Sequence, residues 1–395
     1  GKTVVILVND PGFATQDSSL FNGNSMTYYG RWTYKYEEAA RQGAAAALVV
    51  HQTEPAGYGW NVVNRGWSGP QFYLVSADRN MSRVAIEGWI TESAARAIFT
   101  TARQDFDELA ASAAQSGFTA VPLGVTASLG VENTITESVS NNVLALLPGS
   151  ERPDEIVVYM AHWDHLGHDQ SIDGDGIYNG AFDNATGIAA LLELAEAFAS
   201  LETRPARSIL FLLVTAEEQG LLGSEYYAAN PVYPKSQTVA AINVDGVNIY
   251  GRMNDITIVG IGNSELDDYI VDAAGAQGRV VRPDPEPEKG YFYRSDHFSF
   301  AKQGIPAAYT DQGIDHVEHG AQWTLDRLAE YRAERYHQPT DEFDESWDLI
   351  GAMDDIRLLF RVGYQLSNES AFPNWNEGTE FRALRDSMMT GAATP

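Results

Sequence analysis

The chain has 395 residues, with 54 Asp and Glu against 26 Lys and Arg, eight His, no Cys and a formal net charge of −28. So negative a balance argues against a nucleic-acid binder or a binder of anionic membranes, both of which need a basic footprint. The absence of cysteine excludes a disulfide scaffold, a zinc finger, a thiol nucleophile and a cysteine-held iron–sulfur site, so any transition metal must be held by His and carboxylates.

At 44% hydrophobic and 20% charged residues the chain reads as globular, with one large domain or two modest ones. No uninterrupted apolar run reaches membrane-spanning length. Gly1-Lys2 leads straight into the apolar strand Thr3–Val8, so the sequence reads as that of a processed or trimmed chain with no signal peptide expected in it. The turn residues Asn9-Asp10-Pro11-Gly12 close that strand. A short helix is expected at Glu37–Gln42, stopped by Gly43, and the small apolar run Ala44–Val50 follows it. Phe72–Val75 reads as a strand, and Thr91–Thr101 as a helix with Thr91 as N-cap. Between these lie aromatic-rich loops (Tyr28, Tyr29, Trp32, Tyr34, Tyr36, then Tyr58, Trp60 and Trp67) that either line a cleft or pack a thin core.

A polar stretch, Thr134–Asn142, precedes a second block with a strand–loop–helix grammar. Ile156–Met160, Ser208–Val214 and Val239–Val244 are nearly unbroken apolar runs, the pattern of strands covered by helices on both faces. Helix 187–200 carries Ile188, Leu191, Leu192, Ala195 and Phe198 on one stripe. The helix near Met353–Leu366 repeats the spacing with Ile356, Leu359, Phe360 and Leu366, but places the small Gly363 within it. These patterns predict a smaller α/β domain over residues 1–124. Residues 125–395 would form an α/β domain with a mixed, mostly parallel sheet flanked by helices.

In an open α/β sheet, ligands gather at the carboxyl ends of the strands. Strand 156–160 runs into His162-Trp-Asp164-His165, strand 208–214 into Glu217-Glu218, and strand 239–244 into Asp245. The segment Gly180-Ala-Phe-Asp183-Asn184-Ala-Thr-Gly187 opens a helix, and Tyr336-His337 follows a charged helical segment. Each alone has a commonplace reading as a turn, a cap or a solvated face. Together, on one sheet, they form a nitrogen and oxygen donor set suited to zinc or a similar divalent ion. The Asp173-Gly-Asp175-Gly176 loop lacks the closing Glu and the preceding helix that a calcium loop needs.

The combination His162-x-Asp164, Gly180-x-x-Asp183-Asn184-x-x-Gly187, Glu217-Glu218, Asp245 and Tyr336-His337, in that order, resembles the M28 family of zinc metallopeptidases. Arg294-Ser-Asp296-His297 and Gly304-Ile-Pro306 add a further family-like stretch, and the first block resembles a protease-associated domain. The resemblance implies a zinc-exopeptidase fold, two zinc ions per chain and peptide substrates. Asp183 would bridge the metals, with His162 and Asp245 completing one site and Glu218 and His337 the other. Glu217 would act as general base, Asp164 would orient the His162 imidazole, and Tyr336 would donate to the developing oxyanion. Arg294 would contact the substrate, and the Asp183–Asn184 peptide would be cis. His165 and His168 are left aside, because a third ligand from that loop exceeds what two tetrahedral-like sites need; His297 would support the pocket wall.

An aminopeptidase is the first expectation. A carboxypeptidase or dipeptidase on the same fold, a glutaminyl-cyclase-like acyltransferase and a non-catalytic receptor remain open. The resemblance also implies secretion or a periplasmic location. Family members with this insert carry a peptidase-domain stretch before it, whereas Gly1 begins almost inside it, so an N-terminal segment would have been removed or exist as a separate chain.

Overall fold

The computed structural model describes residues 1–391, which fall into two compact units. The first comprises residues 1–138 with 285–293, and the second residues 139–284 with the chain from Arg294 onward. The change of unit at Ser138 and Val139 lies inside the polar stretch 134–142, downstream of the 124/125 boundary read from the sequence.

In the first unit, β1 (Thr3–Leu7), β2 (Ala46–His51) and β3 (Ile86–Thr91) form a parallel sheet in that order. Parallel neighbours need a crossover, and helix Trp32–Arg41 supplies the first one, starting five residues earlier than the expected 37–42. The loop aromatics pack this small core: the Trp32 ring lies 5.5 Å from Trp67, 6.0 Å from Tyr36 and 6.1 Å from Trp89. Thr91 does cap the next helix, accepting the Ala94 N–H at 3.2 Å. The strand expected at Phe72–Val75 is absent; Phe72, Tyr73 and Val75 lie exposed in irregular backbone. Strand composition alone does not secure a pairing: β1, β2 and β3 pair with one another, and residues 72–75 join none of them. Residues 285–293 join this unit although remote in sequence: Pro287 accepts the Met26 N–H at 3.1 Å, and the Glu288 carbonyl accepts from Asn9 Nδ2 at 3.4 Å.

The second unit is built on seven strands: β4 (Val143–Leu147), β5 (Arg152–His162), β8 (Arg207–Val214), β9 (Thr238–Asn243), β10 (Asp255–Ile258), β11 (Val280–Pro283) and β12 (Ala307–Asp311). A two-strand hairpin of β6 (Gly167–His168) and β7 (Ile177–Tyr178) stands apart from them. The sheet order is β11-β10-β12-β9-β5-β8-β4. Pairings β4–β8 and β10–β12 are antiparallel and the other four parallel, so the sheet is mixed and mostly parallel. Val157, Tyr159 and Ala161 of β5 pack with helices Thr186–Ala199 and Ile350–Asn368, while the alternate residues Ile156, Val158 and Met160 are equally buried. Burial on both faces explains the unbroken apolar runs. No helix among the described residues is long and apolar enough to cross a membrane.

From β5 the chain passes to β8 on one side and then to β9 on the other. Such a reversal opens a crevice at the carboxyl ends of the central strands, where ligands bind in open α/β sheets.

Gly363, the small residue in the last apolar stripe, has a packing reason. A Cβ there would lie 1.8 Å from the Tyr159 hydroxyl, which donates to the Leu359 carbonyl at 2.6 Å. Gly363→Ala should therefore destabilise the protein by about 1–3 kcal/mol, through overpacking. Helix propensity alone favours Ala by about 1 kcal/mol. Denaturant titration measures the change, and Tyr159→Phe in the same chain should recover part of the loss. An unchanged or raised midpoint for Gly363→Ala counts against this packing account.

Candidate metal centre

Strand register assembles the first half of the site. Met160 of β5 pairs Asn243 of β9, so two residues further on His162 comes beside Asp245. The His162 Nε2 lies 3.3 Å from Asp245 Oδ1 and 3.1 Å from Asp183 Oδ1. His162 is 1% exposed.

Asp183 arrives from the loop before helix Thr186–Ala199, where its peptide bond to Asn184 is cis. Two buried side chains hold this loop. Asp341, fully buried, accepts the backbone N–H groups of Phe182 (3.1 Å) and Asp183 (3.2 Å) and the Tyr331 hydroxyl (3.3 Å). Asn184 donates to the Val244 carbonyl at 3.0 Å and accepts the N–H groups of Gly246 (2.9 Å) and Gly187 (3.0 Å). It thus ties the loop to both residues flanking Asp245. Gly187 is needed for this: a Cβ there would meet Asn184 Oδ1 at 2.2 Å.

The other carboxylate oxygen of Asp183 faces the second half of the site. His337 Nε2 lies 3.4 Å from Asp183 Oδ2 and 3.1 Å from Glu218 Oε2, and His165 Nδ1 lies 2.6 Å from Glu218 Oε1. Both His337 and Ala216, just before the Glu pair, adopt left-handed backbone (φ 57° and 55°), a strain of about 1–3 kcal/mol each that clusters at functional sites. Two donor groups result, each with its ligand atoms within 4.8 Å of one another: His162, Asp183 and Asp245, and His165, Asp183 and Glu218.

The structure thus brings together His162, Asp183, Glu218, Asp245 and His337, as expected, and adds His165, which the sequence reading had set aside by ligand counting. Its signal was there, three residues after His162, but only the fold turns it toward Glu218. Asp164 also does more than expected. Its carbonyl is 3.1 Å from His162 Nδ1, while its carboxylate accepts the N–H groups of Glu217 (3.0 Å) and Glu218 (3.3 Å), holding the turn that presents them. Ser295, unremarked in sequence, donates to Asp245 Oδ2 at 2.5 Å and accepts from Asn243 Nδ2 at 2.6 Å. Tyr336 stacks on the His337 ring, centroids 3.9 Å apart. Burial, then the Asp183 charge, push its hydroxyl pKa far up, while Arg294 pulls the other way, which sets both residues at this site.

The donor set fits divalent ions on chemistry and on charge. Nitrogen and oxygen donors without thiolate suit zinc. Burial pulls His337 down, but its bonds to Asp183 and Glu218 outweigh this and push it up to about 9. His162 is likewise held well above its ordinary range, against burial, by Asp183 and Asp245. The carboxylates therefore demand positive charge here, which protons on the imidazoles supply until a cation replaces them. Glu217 belongs to neither donor group. Burial pushes its pKa well up, and Asp245, Asp296 and Glu218 push it the same way, against His162.

Two candidate metal-binding clusters thus share Asp183 at the switch point of an α/β sheet. Residues 142–360 match Peptidase family M28, and the chain belongs to that family. A Pyricularia oryzae protein described as "Probable zinc metalloprotease" is 38% identical over 120 residues, 30% of this chain and 22% of that protein. Aminopeptidase NAALADL1 of Mus musculus is 35% identical over 129 residues, 31% of this chain and 16% of that one. The chain thus spans well under half the length of these relatives. Among solved structures, an aminopeptidase from Aneurinibacillus sp. strain AM-1 aligns over 94% of this chain and 75% of its own, with TM-score 0.46 and 20% identity.

Removing Asp341 should loosen the loop that presents Asp183. Asp341→Ala is expected to weaken metal binding about 10–100-fold, the usual scale for a residue that supports a ligand. Competition with a chromophoric chelator reads this directly, and unchanged affinity would show that Asp183 holds its place unaided.

Proposed function

We propose that this chain is a dizinc aminopeptidase that releases N-terminal residues from peptides. The observation that carries the reading is Asp183, whose two oxygens face separate donor groups, with Glu217 beside them and outside both. His162, Asp183 and Asp245 would hold one ion, and Asp183, Glu218 and His337 the other, with His165 supporting Glu218. Two zinc ions there would supply Lewis acidity at the scissile carbonyl and acidify a nearby water.

The chain's own groups do the rest. Glu217 is the general base: its carboxylate takes a proton from the attacking water and returns it to the leaving nitrogen. The environment that raises its pKa suits that shuttle, because a proton on Glu217 is held long enough to be handed on. The Tyr336 hydroxyl donates to the oxygen that gains charge as the carbonyl carbon becomes tetrahedral. Arg294, whose charge is felt at the same hydroxyl, is assigned to contact with the substrate.

Polarity follows from charge. Glu217, Asp245 and Asp296 crowd one side of the site. That side favours a cationic amine over a carboxylate, hence an aminopeptidase over a carboxypeptidase. We read residues 1–124 as a protease-associated domain and the location as secreted or periplasmic, both on family resemblance.

Glu217→Gln should keep its metals, by elemental analysis, yet lose at least about a hundredfold in kcat. Chelation should abolish turnover and zinc should restore it. A free-amine dipeptide should be cleaved and its N-acetylated form refused; cleavage of the blocked peptide would reverse the polarity.

A further inference from the structure

We infer, resting on the aminopeptidase reading, that Asn142 is a positioning residue for Glu217 and Glu218: its carboxamide clamps the two ends of the loop that carries them. The polar stretch that leads into the second unit then serves the reaction as well as the fold.

Register brings Asn142 there. β4 runs antiparallel to β8, so the start of β4 stands beside the end of β8, where the Glu pair follows. Val143 pairs Leu213, which sets Asn142, one step back, opposite Val214, and Val214 in turn pairs His162. From this place Asn142 Oδ1 accepts the Thr215 N–H at 3.1 Å, and Nδ2 donates to the Gly223 carbonyl at 2.8 Å. Thr215 and Gly223 are the two feet of the loop, joined by a backbone bond from the Gly223 N–H to the Thr215 carbonyl at 2.9 Å. An N–H and a carbonyl side by side call for an acceptor and a donor on one short side chain. An amide supplies both, whereas Asp lacks the donor and Leu, similar in size, lacks both. The fit is close: a Cβ on Gly223 would lie 2.6 Å from Asn142 Oδ1.

The clamp acts beside the part of the loop least able to hold itself. Ala216, directly after Thr215, is left-handed (φ 55°), a conformation that persists in a non-glycine residue only where its surroundings fix it. Asp164 holds the N–H groups of Glu217 and Glu218, just past Ala216. Asn142 holds the base of the loop. Its neighbours act with it: Ser140 Oγ lies 2.7 Å from Thr215 Oγ1, and the Asn141 carbonyl accepts Trp163 Nε1, between His162 and Asp164, at 3.2 Å. Without the clamp, Ala216 is freer to leave its left-handed turn, and both Glu side chains turn with it. His162, Asp183 and Asp245 are held instead by register, by Asp341 and by Asn184.

The test uses the full chain with zinc, as wild type, Asn142→Ala and Asn142→Asp. Chelator competition reads the two zinc affinities, and Glu218→Ala marks which of them depends on Glu218. Both Asn142 variants should weaken that affinity about tenfold or more and leave the other within about twofold. Saturated with zinc, they should lose at least about tenfold in kcat on the best of a panel of aminoacyl p-nitroanilides, with KM within about threefold, the split expected when a group acting in the transition state is misplaced. Equal weakening of both zinc affinities with a lowered thermal midpoint overturns the assignment, since it marks a residue that merely supports the fold. So do wild-type kcat and zinc affinities in both variants. A zinc-loaded wild type that turns over no aminoacyl p-nitroanilide sinks the aminopeptidase reading instead, and the zinc affinities then still decide whether Asn142 holds Glu218 in place.

Discussion

Four carboxylates, those of Asp183, Glu217, Glu218 and Asp245, converge at the carboxyl edge of three neighbouring strands, balanced there by imidazoles and by Arg294. Like charges this close destabilise a folded chain unless something positive joins them. In the protein alone that role falls to protons on His162 and His337, both held above their ordinary range. Cations relieve the same crowding without titrating away, so metal binding and local stability are two readings of one electrostatic requirement.

The rest of the unit serves to hold that crowd in place. The row across β9 and β5 sets His162 against Asp245 by register alone. Asp183 cannot be placed by register, because it lies in a loop, and so it is fixed by hydrogen bonds from elsewhere. Asp341 grips its backbone from one side, and Asn184 anchors it to the end of β9 from the other. A loop held at both ends is as good a platform as a strand.

How much of this was legible in the residues follows from the same division. Strand-end site residues could be read because an apolar run announces its own end, and the next polar residues must lie at the sheet edge. His162, Glu217, Glu218 and Asp245 are of this kind. The place of His165 could not be read, because only the fold turns this imidazole to the far oxygen of Glu218. Asp341 and Ser295 carry no local pattern; their partners lie 158 and 50 residues away. The same holds for the fold. Residues 72–75 have strand composition yet pair with no strand, and residues 285–293 reach the first unit through backbone bonds that no periodicity encodes.

Glu217 and Glu218 show how position divides identical side chains. Both N–H groups are fixed by the Asp164 carboxylate, and the left-handed Ala216 turns the chain just before them. Neighbouring side chains at such a turn diverge. Glu218 points to His165 and His337, whose hydrogen bonds outweigh burial and keep its pKa low, so it stays anionic as a ligand must. Glu217 finds burial and other carboxylates instead, which raise its pKa and let it carry a proton. One residue type thus does two jobs one position apart. What separates them is Asp164, a side chain that forms part of neither donor group.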